Sequence, residues 1–250
     1  MSLKNPVFSI ITATYNSEST ISETIDSLLS QDFNNFEILI IDGLSTDNTL
    51  RIISNYNDSR INIYSEKDKG IFDALNKGVN KSNGKFIGFL HSDDTFTDNT
   101  VLSNIYNAFQ NGIDGVYGNL NYVSSLNHEK IIRNWISCPF SYNLLKKGWM
   151  PPHPTLFLKK DIYKKYGNFI LEYKVSSDYD FILRIFKKRD LSFKYLNKKL
   201  VNMKTGGNSN RSLKNIIIKL KEDYKIIKSN NIGNIYTLLL KNLTKVHQFI

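Results

Sequence analysis

The feature that most constrains the fold is an alternation within the first 120 residues. Short apolar, β-branched runs take turns with segments of helical period, and each run stops at a polar cluster. Residues 7–13 read as a strand that ends in the cluster 14–19. Residues 19–31 then carry Ile21, Ile25, Leu28 and Leu29 at helical spacing. Residues 36–41 form a second strand closed by Asp42-Gly43, and a helix can start from Ser45 or Thr46, both good N-caps. Residues 61–64 are a third strand, and 71–79 a helix that closes near Gly78. Residues 86–90 are a fourth strand, followed by His91-Ser92-Asp93-Asp94, and a further helix spans about 98–109.

Strands alternating with helices predict βαβ units and a mainly parallel, Rossmann-like α/β sheet. The strands are apolar on both sides, so helices should cover both faces. In such sheets ligands bind beyond the C-terminal strand ends. The polar clusters after strands one, two and four would then share one crevice.

The second half is less regular. Residues 115–121 read as a strand. Met150-Pro151-Pro152-His153-Pro154 must be irregular, because proline excludes helix interior and central strand. Residues 161–166 and 178–186 read as helices. Gly206-Gly207-Asn208-Ser209 is a break, and with Lys204 it could form a lid with a glycine hinge. Residues 212–227 and 235–249 look like two basic amphipathic helices. The expected division is a main domain over 1–210, with halves 1–120 and 121–210, and a helical extension over 211–250.

Charge follows that division. The chain carries 33 Lys/Arg and 23 Asp/Glu, a net of +10. Residues 1–158 sum to −4 and residues 159–250 to +14. A basic C-terminal third suits a polyanionic partner, or is simply a solvated lysine face. Its lysines alternate with Ile and Leu at helical spacing, which fits a membrane surface over 212–249 better than base readout, so no nucleic acid is expected. No apolar run approaches the ~18 residues that span a bilayer. The opening Met1-Ser2-Leu3-Lys4-Asn5-Pro6 has no signal-peptide core. Cys138 is the sole cysteine, so no disulfide or cysteine metal site can form within the chain. A cytoplasmic location is expected, with possible attachment to the inner face of the plasma membrane.

Two cofactor classes fail on spacing. Gly78 and Gly84-Lys85 are one residue too far apart for a phosphate loop, and Phe86 replaces the required Ser/Thr. No Gly-x-Gly-x-x-Gly follows a strand, which argues against a dinucleotide oxidoreductase.

The crevice residues point elsewhere. Asp93 and Asp94 are adjacent carboxylates at a strand end, where they repel each other and lose hydration. A hard divalent cation, Mg²⁺ or Mn²⁺, would resolve that and keep positions open for phosphate oxygens. The alternative is that one of them caps the next helix. Asp42 ends a strand in the same crevice. Tyr15 and Asn16 follow the first strand, where a ring could stack on a nucleobase and an amide could bond it.

The stretches Ser9-Ile10-Ile11-Thr12-Ala13-Thr14-Tyr15-Asn16, Ser27-Leu28-Leu29-Ser30-Gln31, residues 36–49, residues 68–78 and Phe89-Leu90-His91-Ser92-Asp93-Asp94 together resemble family 2 of the inverting glycosyltransferases, of GT-A fold. The resemblance covers roughly residues 5–210. It implies that Ala13, Tyr15 and Asp42 form a nucleobase pocket and that Asp68 lines the donor site. Ser92 and Asp93 would contact the nucleotide sugar, with Asp93 and Asp94 holding metal and diphosphate. Asp178, in Ser176-Ser177-Asp178-Tyr179-Asp180, falls where the family places its general base; the alternative is an N-cap. His153 and Trp149 would lie near the acceptor or the diphosphate, or be held by packing. Three positions depart from the family's pattern: Gly43 replaces a second acid after Asp42, His91 stands where an acid is common, and Ser177 precedes Asp178. The implied activity moves a hexose, from a UDP-sugar by preference, to a glycan acceptor that is lipid-linked, in surface polysaccharide (O-antigen or capsule) synthesis. A non-catalytic sugar-nucleotide scaffold would keep most of the same pocket.

Overall fold

The computed structural model describes residues 5–109, 112–125, 130–205 and 213–244. Among these, one nine-stranded sheet runs through the molecule in the order β3-β2-β1-β4-β8-β6-β9-β5, with β7 added beside β6. The N-terminal half is the expected βαβ array: β1 (Phe8–Thr14), α1 (Ile21–Leu29), β2 (Phe36–Asp42), α2 (Thr49–Ser54), β3 (Ile61–Ser65), α3 (Ile71–Lys81) and β4 (Phe86–Phe89). β1 is parallel to both β2 and β4, and β2 to β3.

Every residue of β1 and β2 is buried. Alternate side chains enter two different cores. Phe8, Ile10, Phe36, Ile38 and Ile40 pack with α1 and α4 (Val101–Ala108) on one face. Ile11, Ala13, Leu39 and Ile41 pack on the other with α3 and the helices of the second half. This is why the strands are apolar at successive positions.

Past β4 the pairing changes. β5 (Thr95–Phe96), β6 (Gly115–Val123), β7 (Ile131–Trp135), β8 (Phe157–Lys159) and β9 (Phe193–Lys204) form a mixed region. Only β6–β9 is parallel there; β4–β8, β8–β6, β6–β7 and β5–β9 are antiparallel. The mainly parallel sheet therefore describes the first half, and the whole sheet is mixed. β9 carries lysines at 194, 198, 199 and 204 and exposes residues 197–199, so its sequence lacks the apolar signature of a central strand.

α3 closes a little after Gly78, at Lys81. A Cβ at Gly78 would lie 2.4 Å from Cγ2 of Ile11, so the glycine lets the helix approach β1 closely. Gly78→Ala should therefore destabilise by about 1–3 kcal/mol through overpacking, read by urea unfolding. Helix propensity alone predicts the opposite sign, a gain of about 1 kcal/mol. The helix expected from Ser45 begins at Thr49, because Ser45 and Thr46 bond to the loops around them instead.

The remaining helices are α5 (Tyr142–Lys146), α6 (Lys160–Tyr166), α7 (Ser177–Phe186), α8 (Leu213–Ser229) and α9 (Ile235–Leu243), with a 3-10 turn at His153–Thr155. The Gly206–Ser209 break, and any lid built on it, lies outside the described residues, as does the end of the helix expected to reach 249. Among the described residues, no helix is long and apolar enough to cross a membrane.

Candidate active site

The polar clusters do meet at the C-terminal ends of β1, β2 and β4. The loop after β1 is laced to the loop after β2. Asn16 N–H donates to Ser45 Oγ at 2.9 Å, and Thr46 N–H donates to Asn16 Oδ1 at 2.8 Å. Ser17 reaches across to the β4 loop, its Oγ lying 2.9 Å from Ser92 Oγ. Ser92 is buried, so it braces the loop from beneath.

Tyr15, Gly43 and Asp68 make one wall. A Cβ on Gly43 would stand 2.7 Å from Asp68 Oδ2 and 3.5 Å from Cδ2 of Tyr15. Only a residue without a side chain leaves that space open. Tyr15 is 61 % exposed, which is unusual for a ring and leaves its face free for a planar ligand. Asp68 is fixed by accepting the Gly70 N–H at 2.8 Å. Ala13 of β1, two residues before Tyr15, is buried in the core. Asp42 is wholly buried, and its carboxylate accepts from Ser45 N–H, Ser45 Oγ and Ser65 Oγ. It shapes the wall through those bonds and offers no exposed oxygen.

The acidic turn is held at both ends. Leu90 N–H continues the ladder onto Ile11, and Asp94 N–H closes back on His91 O at 3.0 Å. β5 then pins the exit, Thr95 and Phe96 pairing with Asn202 and Val201 of β9. Asp93 is half-buried and Asp94 is 1 % exposed. Burial, and then the Asp93 charge, push the Asp94 carboxyl well above the usual range, against the nearby Lys204. Lys204 itself is 6 % exposed and pairs with Glu23 at 2.8 Å.

Asp94 Oδ1 is buried with no hydrogen-bond partner. A buried acceptor left unpaired costs about 1–3 kcal/mol, and a hard cation would satisfy it. No cluster of three or more His, Cys, Asp or Glu with metal-site geometry exists among the described residues. The two carboxylates suit an ion such as Mg²⁺ or Mn²⁺, which takes one or two protein carboxylates and fills its other positions with phosphate and water oxygens.

Asp178 lies within charge range of the same turn. It is the second residue of α7, whose N-cap position is Ser176, so Asp178 is not the cap. It is half-buried, and burial raises its carboxyl against the lowering effect of Lys241. His91 feels both Asp93 and Asp178, and Tyr122 feels both Asp94 and Asp178. Both residues thus lie within charge range of the acidic turn and of α7. The other acid of the segment, Asp180, is consumed: it pairs with Arg184 at 2.7 Å and accepts from Asn230 at 3.1 Å.

His153 and Trp149 are placed by packing. His153 is 8 % exposed, tilted against Phe89 with ring centroids 5.2 Å apart and 6.5 Å from His91. Burial, aided by His91, lowers it to about 3. It is neutral near pH 7 and cannot act there as a cation toward diphosphate. Trp149 lies in an aromatic cluster with Tyr117, Phe140 and Phe186, the Phe140 ring stacked at 5.7 Å. Sequence reasoning missed Tyr122 and Lys241 and gave Lys204 to a lid; the fold brings these residues, from β6, α9 and β9, near Asp94 or Asp178. No local motif marks them, though a lysine among apolar neighbours at helical spacing was a signal at Lys241.

The sequence model of the family described as "Glycosyl transferase family 2" matches residues 9–188. An Escherichia coli protein named UDP-Glc:alpha-D-GlcNAc-diphosphoundecaprenol beta-1,3-glucosyltransferase WfgD is 36 % identical over 142 residues, covering 56 % of this chain and 55 % of that protein. A Mycobacterium bovis PGL/p-HBAD biosynthesis glycosyltransferase is 27 % identical over 203 residues, covering 76 % and 74 %. Among solved structures, S. aureus TarS 1-349 in complex with UDP-GlcNAc superposes with a TM-score of 0.69 at 21 % identity, over 89 % of this chain and 65 % of that one. The mannosyltransferase PcManGT from Pyrobaculum calidifontis, in complex with GDP-Man and Mn2+, gives 0.64 at 16 % identity, over 90 % and 64 %. This chain thus spans under two thirds of the length of those solved proteins, and its fold is theirs. The family match covers the whole strand-end crevice and the helix that carries Asp178: the chain belongs to glycosyl transferase family 2.

Proposed function

We propose that the protein moves a hexose from a nucleoside-diphosphate sugar to a hydroxyl of a glycan acceptor, with inversion at the anomeric carbon. The observation that carries this reading is the convergence of the Tyr15–Gly43–Asp68 wall, the Asp93–Asp94 turn and Asp178 on one set of strand ends. The wall takes the nucleobase: Tyr15 stacks on it and Asp68 accepts from it or from the ribose. Ser92 holds the turn that faces the diphosphate. A divalent cation on Asp93 and Asp94 would neutralise the charge that develops on the departing diphosphate. Asp178 takes the proton of the acceptor hydroxyl as that oxygen attacks from the opposite face. One displacement with the base opposite the leaving group inverts the anomeric centre.

A UDP-sugar donor is favoured, since WfgD is named for UDP-Glc and TarS was solved with UDP-GlcNAc. The diphosphoundecaprenol in the name of WfgD supports a lipid-linked acceptor and a role in surface-polysaccharide assembly. The test is a screen of UDP-, GDP- and dTDP-sugars with Mg²⁺ or Mn²⁺, following release of nucleoside diphosphate in the presence of lipid-diphosphate sugar. Release from at least one donor is expected. Tight donor binding without any turnover would favour a scaffold.

The C-terminal helices fit such an acceptor. α8 and α9 expose Ile217, Leu220, Tyr236, Leu239 and Leu243 beside Lys214, Lys221 and Lys228. Exposed apolar and cationic side chains on these helices match an anionic bilayer. The quadruple change Ile217→Glu, Leu220→Glu, Leu239→Glu and Leu243→Glu should reduce flotation with phosphatidylglycerol vesicles at least tenfold. Unchanged flotation would remove the membrane from the account.

A further inference from the structure

The opposite side of the same two helices is not surface at all. Lys241 of α9 is 3 % exposed and pairs at 2.7 Å with Asp223 of α8, which is 1 % exposed. The Lys241 ammonium stands 3.3 Å from the centroid of the Tyr179 ring, one residue from Asp178 on α7. Removing two charges from water costs several kcal/mol per ion, so a lysine drawn this far inside needs a reason beyond holding a helix down.

The surroundings are built around it. α9 lies directly on Gly148, where a Cβ would meet Lys241 Cβ at 2.5 Å and Thr237 O at 2.7 Å. Thr237 Oγ bonds to Lys146 O at 2.8 Å. α8 grips the segment leading into α7: Glu222 accepts the successive N–H groups of Lys174, Val175 and Ser176 at 2.8, 3.0 and 2.9 Å. Asn230, at the end of α8, donates to Asp180 at 3.1 Å. Both ends of the α7 first turn are thus fixed by the C-terminal helices.

We propose that Lys241 is a positioning residue for Asp178: α9 carries a fixed, desolvated cation to the first turn of α7, over the ring of Tyr179, where it provides the positive charge that the neighbouring Asp178 carboxylate faces. This rests on the reading of Asp178 as the base. Among the described residues, the charged or titratable groups from other elements that act on Asp178 are Lys241 from α9, Asp223 and Lys219 from α8, His91 from the turn after β4 and Tyr122 from β6. Lys241 is the foremost of these in favouring the carboxylate, and burial opposes it. The C-terminal helices then belong to the catalytic machinery.

The test titrates Asp178 directly, so it needs no knowledge of the donor. Full-length protein labelled with ¹³C-aspartate is followed by NMR, the Asp178 signal being assigned by its loss in D178N. In K241Q the Asp178 midpoint should rise by about one pH unit. In D223N/K241M, which leaves no ion unpaired, it should rise by less, because the repulsion from Asp223 goes too. K241R should stay near wild type. A Lys241 with a merely structural role would lower the melting temperature and leave the midpoint in place, so an unmoved midpoint in the folded variants overturns the proposal. A second measurement needs only wild type and D178N. The ¹⁵N signal of the Lys241 ammonium should follow the Asp178 midpoint and lose that inflection in D178N; an inflection that persists in D178N counts against the proposal. If the shifts are seen and D178N still transfers sugar, Lys241 positions Asp178 but Asp178 is not the base, and the failure belongs to the functional reading.

Discussion

Replacing Asp178 with asparagine lowers sugar transfer by about 10²–10⁴-fold, the usual contribution of a positioned proton acceptor, and leaves donor affinity within twofold. Asparagine keeps the shape and cannot take the proton. No neighbour can substitute. Asp180 is locked between Arg184 and Asn230, and His91 and His153 are both pushed toward low pKa by burial. Asp180→Asn gives the contrasting result: it breaks a buried ion pair, so it costs stability first. The pH profile carries a sign. The Asp178 carboxyl lies above the ordinary carboxylate value because burial disfavours its charge. The base works only when ionised. Transfer in wild type should therefore fall on the acid side at a pH above the usual carboxylate range, and that limb should vanish from the residual activity of D178N. Initial rates from pH 4.5 to 8.5, with donor saturating, measure both.

Chelation with EDTA, or Asp93→Ala, lowers transfer by about 10²-fold or more, since charge stabilisation by a bound cation is worth several kcal/mol. The two should not be additive, because they remove the same interaction. Asp93 is only half-buried, and among the described residues no hydrogen bond of its side chain ties other elements together, so its loss should leave the fold largely intact. Asp94→Asn separates function from stability. The Asp94 carboxyl is raised well above its unfolded value by burial and by Asp93. A group raised on folding contributes stability that is present at low pH and lost as pH rises through its folded pKa. Without cation at neutral pH, Asp94 thus weakens the fold, and Asn should raise the melting temperature. With Mn²⁺ present the order reverses, wild type gaining stability by mass action and Asp94→Asn gaining none. Differential scanning fluorimetry with and without Mn²⁺ reads both halves. Cation binding should also weaken toward acid pH, where the proton competes for Asp94.

The N-terminal half was legible because its signals are local. Apolar strands buried on both faces, and polar residues where they end, placed Tyr15, Asp42 and Asp93 in one crevice before any coordinates. What was not legible depended on partners far along the chain. Asp42 is silent in sequence about its three internal bonds, which turn an expected ligand contact into a brace. Gly43 stood where a second acid is common, and only the structure shows that it leaves room between Asp68 and Tyr15. Trp149 gives no sign in its local sequence of the three aromatic rings from separate segments that pack against it. β9 was missed because its lysines hide a strand that pairs along most of its length with β6. Lys241 was counted with a basic face, although its neighbours Thr237 and Leu238 are buried with it. Long-range pairing and ion-pair burial are properties of the assembled fold, and periodicity cannot carry them.

The central claim is that the strand ends of β1, β2 and β4 bind a nucleoside diphosphate through the Tyr15–Gly43–Asp68 wall and the acidic turn. The most direct test is calorimetric titration of UDP, GDP and dTDP into wild type and Gly43→Val, each with Mn²⁺ and with EDTA. Valine would fill the gap before Asp68 and Tyr15. The account predicts one site per chain for the preferred nucleotide, weakened at least tenfold by EDTA and lost in a Gly43→Val protein that melts as wild type does. Binding of that nucleotide with undiminished affinity to folded Gly43→Val would contradict it.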